Sequence, residues 1–194
     1  MSRENQIATW KPTHIMEKAN NHTNSNGNKE PAIAASRGML YFDGLTTPIG
    51  RLHIVVSDKA LLYIYFPGEK WSEKFVRKSA HPLIVRTKKE LKEYFAGKRK
   101  KFTVPLSVSG TAFQEKAWRV LRGIPYGETV SYSDQAQRLG KKSAVRAVGS
   151  ANGKNPIPII VPCHRVVAKG GNLGGYAGGL SIKAKLLALE QRFT

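Results

Sequence analysis

The chain has 194 residues, enough for one or two small domains with a real core, and its 41% hydrophobic content fits a soluble globular protein. Lys and Arg number 32 against 13 Asp and Glu, a formal charge of +19 that attracts polyanions, nucleic acid first. A single cysteine excludes an internal disulfide, a Cys-rich zinc site and a CxxC redox pair. No apolar run approaches the ~20 residues a membrane helix needs. The first residues lack a basic start followed by an apolar stretch, so no secretory signal is expected, and the lone cysteine points to a cytoplasmic setting.

Residues 1–37 crowd asparagines (Asn5, Asn20, Asn21, Asn24, Asn26, Asn28) and lack periodic apolar positions. Such a segment buries too little surface to offset its ordering entropy and is expected to be a flexible polar extension. From Met39 the texture changes. Met39-Leu40-Tyr41-Phe42 precedes an expected turn at Asp43-Gly44, and Pro48-Ile49-Gly50 makes a second turn. Leu52, Ile54 and Val56 alternate with Arg51, His53 and Val55, the period of a strand. Asp58-Lys59 reads as a hairpin turn into residues 60–66, which completes a small antiparallel sheet. Pro82 opens a helix over 82–96, with Ile84, Leu91, Tyr94 and Phe95 at helical spacing and Gly97 as its stop. Lys98-Arg99-Lys100-Lys101 reads as a solvated loop.

Thr111 and Gln114 form a capping box for a helix whose face carries Phe113, Ala117, Val120, Leu121 and Ile124. Ser131-Tyr132-Ser133-Asp134 forms another, opening a short helix to Leu139. Gly140-Lys141-Lys142 is a turn, and Ser143 is expected to cap a third helix that runs to about Asn152. Two short helices joined through a glycine turn point to a helix-turn-helix. The predicted class is α+β. An N-terminal α/β domain with a small antiparallel sheet covers 38–108. A mainly helical C-terminal domain with the helix-turn-helix covers 109–194.

The third helix is unusual. Ala144, Ala147, Val148 and Ala151 share one side, and Arg146, Gly149, Ser150 and Gly153 share another. An interior glycine costs a helix about 1 kcal/mol relative to Ala. Close packing inside the protein and close approach to DNA explain the bare surface equally well on pattern alone. A slim helix enters even the minor groove, roughly 6 Å wide.

The densest chemistry lies in Pro156-Ile157-Pro158-Ile159-Ile160-Val161-Pro162-Cys163-His164-Arg165. An apolar stretch bounded by prolines ends in a stiff corner that presents Cys, His and Arg together. A thiolate is the reactive form of cysteine, and His164 is a candidate base. Arg165 supplies field or anchors a loop. Glu190 is the only carboxylate after Asp134, in a final helix with Ile182, Leu186 and Leu189 on its core face. It either completes a Cys-His-Glu relay or pairs with a basic residue on the surface, and pattern alone favours the surface pair. The glycine pairs around Tyr176 and Ala177 make either a flat pocket wall or a mobile loop.

Pro162-Cys163-His164-Arg165-Val166, Ile124-Pro125-Tyr126-Gly127, Ser131-Tyr132, Arg146-Ala147-Val148-Gly149, Asn155-Pro156, Gly175-Tyr176-Ala177-Gly178-Gly179 and Glu190 occur in the order found in one family. In these motifs the chain resembles the O6-alkylguanine-DNA alkyltransferases, also called methylated-DNA--protein-cysteine methyltransferases. Thr47-Pro48-Ile49-Gly50 resembles their first domain more loosely. The resemblance implies DNA repair by irreversible, stoichiometric transfer of an alkyl group from O6-alkylguanine to Cys163, with O4-alkylthymine as a second candidate substrate. It implies minor-groove binding and nucleotide flipping, with Arg146 filling the vacated space. Tyr132 would help rotate the nucleotide and protonate the guanine. His164, through a water, and Glu190 would deprotonate Cys163, and Asn155 would brace the loop. DNA contacts would come from Tyr132, Ser143, Ala144, Arg146, Ala147 and Gly149. Pro158, Val166, Tyr176, Ala177 and Gly178 would line the base pocket. The expected partner is double-stranded DNA holding an alkylated guanine, bound by a monomer either singly or cooperatively along the DNA, with no membrane, disulfide partner, cofactor or metal. Cytoplasmic residence here means the nucleoid in a prokaryote and the nucleus in a eukaryote.

The chain departs from the family pattern at residues 1–37, at Gln135 where an aliphatic residue is commoner, and at Ala177 where some relatives carry Ser. No second cysteine is available for the zinc site of certain relatives. Three rival readings are a cysteine hydrolase, a lesion-binding module without chemistry and a helix-turn-helix regulator. A regulator would carry several base-reading side chains on its recognition helix.

Overall fold

Alternation along the first strands sets the N-terminal layer. The computed structural model describes residues 39–71 and 75–194, so the extension expected over 1–37 lies outside the described residues. Strands β1 (Tyr41–Thr47), β2 (Gly50–Val56) and β3 (Leu61–Tyr65) pair antiparallel, and β4 (Val76–Arg77) joins the far edge in the order β3-β2-β1-β4. Because β4 runs parallel to β1, the sheet is mixed rather than antiparallel. The chain leaves β3 at one edge and crosses the outer face to reach the other. There Trp71 and Phe75 pack with Phe42, Val55, Tyr63 and Tyr65. A strand that arrives by such a crossover keeps the direction of the one it left.

The turn expected at Asp43-Gly44 is absent; both residues lie inside β1. Asp43 is buried and paired with Arg77 of β4 and with Lys88. Gly44 leaves room for the Arg51 side chain of β2, whose guanidinium would sit 2.6 Å from a Cβ there. Tertiary pairing thus holds a turn-prone dipeptide extended.

Helix α1 (Pro82–Phe95) starts with proline in its first turn and with the His81 ring accepting from the Leu83 N–H at 3.3 Å. Ile84, Leu91 and Tyr94 are buried, and the helix packs on β1 and β2. In the following loop Lys98, Lys100 and Lys101 are exposed, but Arg99 turns back to Glu93 at 2.7 Å.

The C-terminal half carries α2 (Ala112–Leu121), β5 (Val130–Ser131), α3 (Tyr132–Arg138), α4 (Val145–Gly153), a 3-10 turn at Cys163–Arg165, β6 (Val166–Val167) and α5 (Leu180–Arg192). Both expected capping boxes form, at Thr111 and Ser131. On α2, Ala117, Trp118 and Leu121 are buried, whereas Phe113 and Val120 are only half-buried. Ser143 does not cap α4. Ala144 holds that place with no side-chain hydrogen bond, and Ser143 stays exposed in the turn. The connection is therefore residues 139–144, longer than the three-residue turn expected. On α5, Lys183, Ala184, Leu186, Leu187 and Glu190 are buried, and Ile182 and Leu189 only partly.

One apolar core runs through both halves, from Leu52, Ile54 and Tyr94 to Ile157, Cys163 and Leu186. The Ile64 N–H donates to the Pro156 carbonyl at 2.9 Å, so β3 grips the segment that leads to the cysteine.

Candidate functional site

The 156–165 segment is built to hold one corner still. Ile159 has φ of 74°, a left-handed conformation that a β-branched side chain rarely adopts, and its side chain is fully buried. Asn155 ties the ends of this loop. Its Nδ2 donates to the Val161 carbonyl at 2.7 Å and to Cys163 Sγ at 3.2 Å, while its Oδ1 accepts from the Ile157 N–H at 3.0 Å. Cys163 ends up 5% exposed. The two-residue parallel pairing of β5 with β6 sets the start of α3, and so Tyr132, beside the cysteine turn.

Glu190 is no surface residue: its side chain is almost wholly buried, and both oxygens are in use. Oε1 accepts from Tyr94 Oη at 2.7 Å, His164 Nε2 at 2.8 Å and Arg165 Nη2 at 2.9 Å. Oε2 accepts from Arg165 Nε at 2.9 Å and from the Gly127 N–H at 3.0 Å. Burial alone would raise this carboxyl, but His164 and Arg165 hold its pKa far below the usual carboxylate range. Arg165 is an anchor: its Nη1 also donates to the Ile124 carbonyl at 2.7 Å.

His164 is fully buried, and burial lowers its pKa against the opposing pull of Glu190. Its other nitrogen, Nδ1, is buried with no hydrogen-bond partner in the protein. Thus no direct hydrogen bond joins the imidazole to the thiol.

Two residues that no sequence motif assigns to the site complete the surroundings. Lys183 is buried on α5; its Nζ donates to the carbonyls of Val166 at 2.5 Å, Leu173, and Gly175 at 3.3 Å. Burial lowers its pKa to about 8, with Cys163 pulling the other way. A lysine three residues before Leu186, on the stripe that carries Leu187 and Glu190, was the available signal. Tyr94, read from the sequence as core alone, is the other.

Tyr132 Oη donates to the Gly175 carbonyl at 3.1 Å, and burial pushes its pKa up to about 12. Gly174 (φ 66°) lies under that ring, where a Cβ would come within 2.9 Å. Tyr176 faces Cys163, and burial with that neighbour raises its pKa strongly. Pro158 and Val166 are buried, Ala177 is half-buried, and Gly178 lies against Phe66. A surface cleft of about 370 Å³ lies away from the cysteine, along α1 at Val85, Lys88, Lys89, Lys92 and Glu93, and one of about 130 Å³ lies between α2 and the 106–108 segment, with Val161 of the cysteine segment in its wall.

Helix α4 turns Val148, Ala151 and Asn152 inward. The Trp118 indole N–H donates to the Ala151 carbonyl at 2.9 Å. Gln135 and Asn152, both buried, exchange amide hydrogen bonds at 2.8 and 3.1 Å. Arg146, Ala147 and Ser150 are exposed, so Ala147 is not on the core face as its spacing predicts. Ser143 is exposed, and Ala144 and Gly149 are half-buried. No neighbour crowds the glycines: nothing lies within 4 Å of a Cβ at Gly153, and only the Tyr132 ring, at 3.8 Å, reaches one at Gly149. Among the described residues no group of His, Cys, Asp and Glu is placed to hold a metal, and no helix is long and apolar enough to cross a membrane.

A buried cysteine braced beside a His-Glu pair, next to a helix-turn-helix whose outer face is bare but for Arg146, defines a cysteine-centred protein of the DNA-binding class. Residues 40–108 match the 6-O-methylguanine DNA methyltransferase ribonuclease-like domain, and residues 112–192 match the DNA-binding domain of the same family. The chain belongs to the 6-O-methylguanine DNA methyltransferase family. It is 45% identical to the constitutive methylated-DNA--protein-cysteine methyltransferase of Bacillus subtilis, over 79% of this chain and 96% of that one. It is 43% identical to the enzyme of that name from Methanosarcina barkeri, over 78% of this chain and 98% of the other. Among solved structures, Mycobacterium tuberculosis OGT in complex with DNA aligns with a TM-score of 0.76 at 38% identity, covering 79% of this chain and 94% of that chain.

Proposed function

We propose that this protein repairs DNA by moving the alkyl group of O6-alkylguanine onto Cys163 Sγ, once per molecule. The observation that carries the reading is the buried His164 with one nitrogen on Glu190 and the other without a protein partner, in the turn that presents the thiol. A buried orphan nitrogen calls for a water. One water there would pass the thiol proton to His164 Nδ1, while Glu190 fixes the tautomer and stabilises the imidazolium.

Cys163 Sγ then forms a bond to the alkyl carbon as the carbon–O6 bond breaks, and its electron pair goes to the guanine. Tyr132, protonated at neutral pH, supplies the proton the leaving base needs. The product is a thioether. Water does not readily cleave its carbon–sulfur bond, so the thiol is not regenerated and the reaction ends there.

A base inside a duplex cannot reach a thiol that is 5% exposed, so the nucleotide must leave the stack. The exposed Arg146 on an uncrowded helix is suited to fill the gap, and close approach to DNA is the better account of Gly149 and Gly153. Tyr132, Ser143, Ala144, Ala147 and Gly149 would line the groove contact. Pro158, Val166, Tyr176, Ala177 and Gly178 would wall the base. Residues 38–108 would brace the transfer unit of 109–194, in a monomer. O4-alkylthymine presents the same O-alkyl chemistry and is a second substrate to try.

The test is a duplex holding one O6-methylguanine, followed by intact and peptide mass spectrometry. The expected result is one methyl on the Cys163 peptide, saturating at one per protein and absent in Cys163→Ala. Lesion binding without modification would instead make the protein a recognition module. Repeated turnover on an ester or amide would favour a hydrolase.

A further inference from the structure

Tyr94 belongs to α1, in the N-terminal half, yet its hydroxyl ends on the carboxylate of the His-Glu pair. Oη donates to Glu190 Oε1 at 2.7 Å across 96 positions of sequence, and both groups are buried. The ring is wedged edge-on between Phe95 and Tyr126, with centroids at 5.3 and 6.0 Å, and tilted against Phe102 at 5.5 Å. The phenol therefore has little room to move.

From this geometry we infer that Tyr94 is a positioning residue that sets the proton affinity of His164 by sharing Glu190 Oε1 with it. That oxygen takes three donors, from Tyr94, His164 and Arg165. A carboxylate whose charge is drawn toward two other donors stabilises an imidazolium less. His164 then stays neutral to lower pH and remains able to accept the thiol proton. The phenol acts only as a donor, because burial and the neighbouring carboxylate keep it protonated.

The other groups facing the pair are Tyr126 from the loop before β5, Arg165 from the cysteine turn, and Lys183 from α5. Arg165 and Lys183 also press the imidazole toward its neutral form. Tyr94 is the member that comes from the other half of the chain. The inference rests on the proposed transfer at Cys163, but its first readout does not need DNA.

Tyr94→Phe removes one oxygen and keeps the ring. The His164 titration is followed by 15N NMR of its side chain, and the single-turnover transfer rate is measured from pH 5 to 9. The expected result is an upward displacement of the His164 titration and of the acid limb of the rate, on the order of half a pH unit, with the plateau retained. A 3-fluorotyrosine at position 94, a stronger donor, should displace both the other way. A role in packing alone would lower the plateau or the melting temperature and leave the titration in place. An unchanged His164 titration in both variants overturns the inference. A displaced titration in a protein that transfers no alkyl group would leave the coupling standing and remove the repair reading.

Discussion

Asn155 shows how much one side chain decides. It satisfies the Ile157 N–H and the Val161 carbonyl, and it aims a donor at Cys163 Sγ. Asn155→Ala leaves the Ile157 N–H buried without a partner, at about 1–3 kcal/mol, while the Val161 carbonyl keeps the Cys163 N–H at 2.8 Å. It should lower the urea midpoint clearly, and slow transfer further than the stability loss explains. Urea unfolding beside single-turnover kinetics separates the two effects. Tyr132 makes a second prediction. With a pKa of about 12 it remains a proton donor across the range where an ordinary tyrosine ionises. The transfer rate should therefore show no tyrosine-linked fall between about pH 9 and 11. Tyr132→Phe should slow transfer by about 100-fold while iodoacetamide still labels Cys163, read by mass spectrometry.

Among the elements, α4 sets stability against function most openly. Its inner side is fastened by the Trp118 bond and by the Gln135–Asn152 pair, and its outer side is left thin. A Cβ at Gly149 would make only ordinary contact with Tyr132. Gly149→Ala should thus raise stability by about 0.5–1 kcal/mol through helix propensity. If the glycine serves DNA approach, the same change weakens binding to a lesion duplex. Thermal melting and fluorescence anisotropy give the two signs, and unchanged binding would return the bare helix to a packing role. Gln135 takes on another meaning here. It stands in a core position, and its amide is satisfied by Asn152 and by the Ala117 carbonyl. Gln135→Leu would strand the Asn152 amide and should cost about 1–3 kcal/mol, measured by urea unfolding.

For the whole molecule, Glu190 is the joint. It binds α1 through Tyr94, the 124–127 loop through Gly127, and the cysteine turn through His164 and Arg165. Its folded pKa is depressed, so the unfolded chain takes up the proton first as pH falls. The stability it contributes is complete above the usual carboxylate range. It drains away as pH drops below about 4.5 toward the folded value. Urea midpoints measured from pH 7 to pH 3 should fall steeply at the acid end, and Glu190→Gln should flatten that fall.

What the sequence by itself determined was local. The capping boxes at Thr111 and Ser131, the start of α1 at Pro82 and the alternation of β2 follow from hydrogen bonds and burial within a few residues. The cysteine corner was marked by its own prolines, and the family by motifs spread along the chain. Nothing local could assign Glu190. A carboxylate on a helix is a surface group until three distant elements bury it, and only the tertiary structure brought Tyr94, Gly127 and Arg165 to its oxygens. For the same reason Asp43-Gly44 became strand, Ala147 faced outward, and Lys183 was drawn inside by three carbonyls. Spacing ranks the faces of an element, but long-range pairing decides which face is covered. At this site the decisive partners lie up to 96 residues apart.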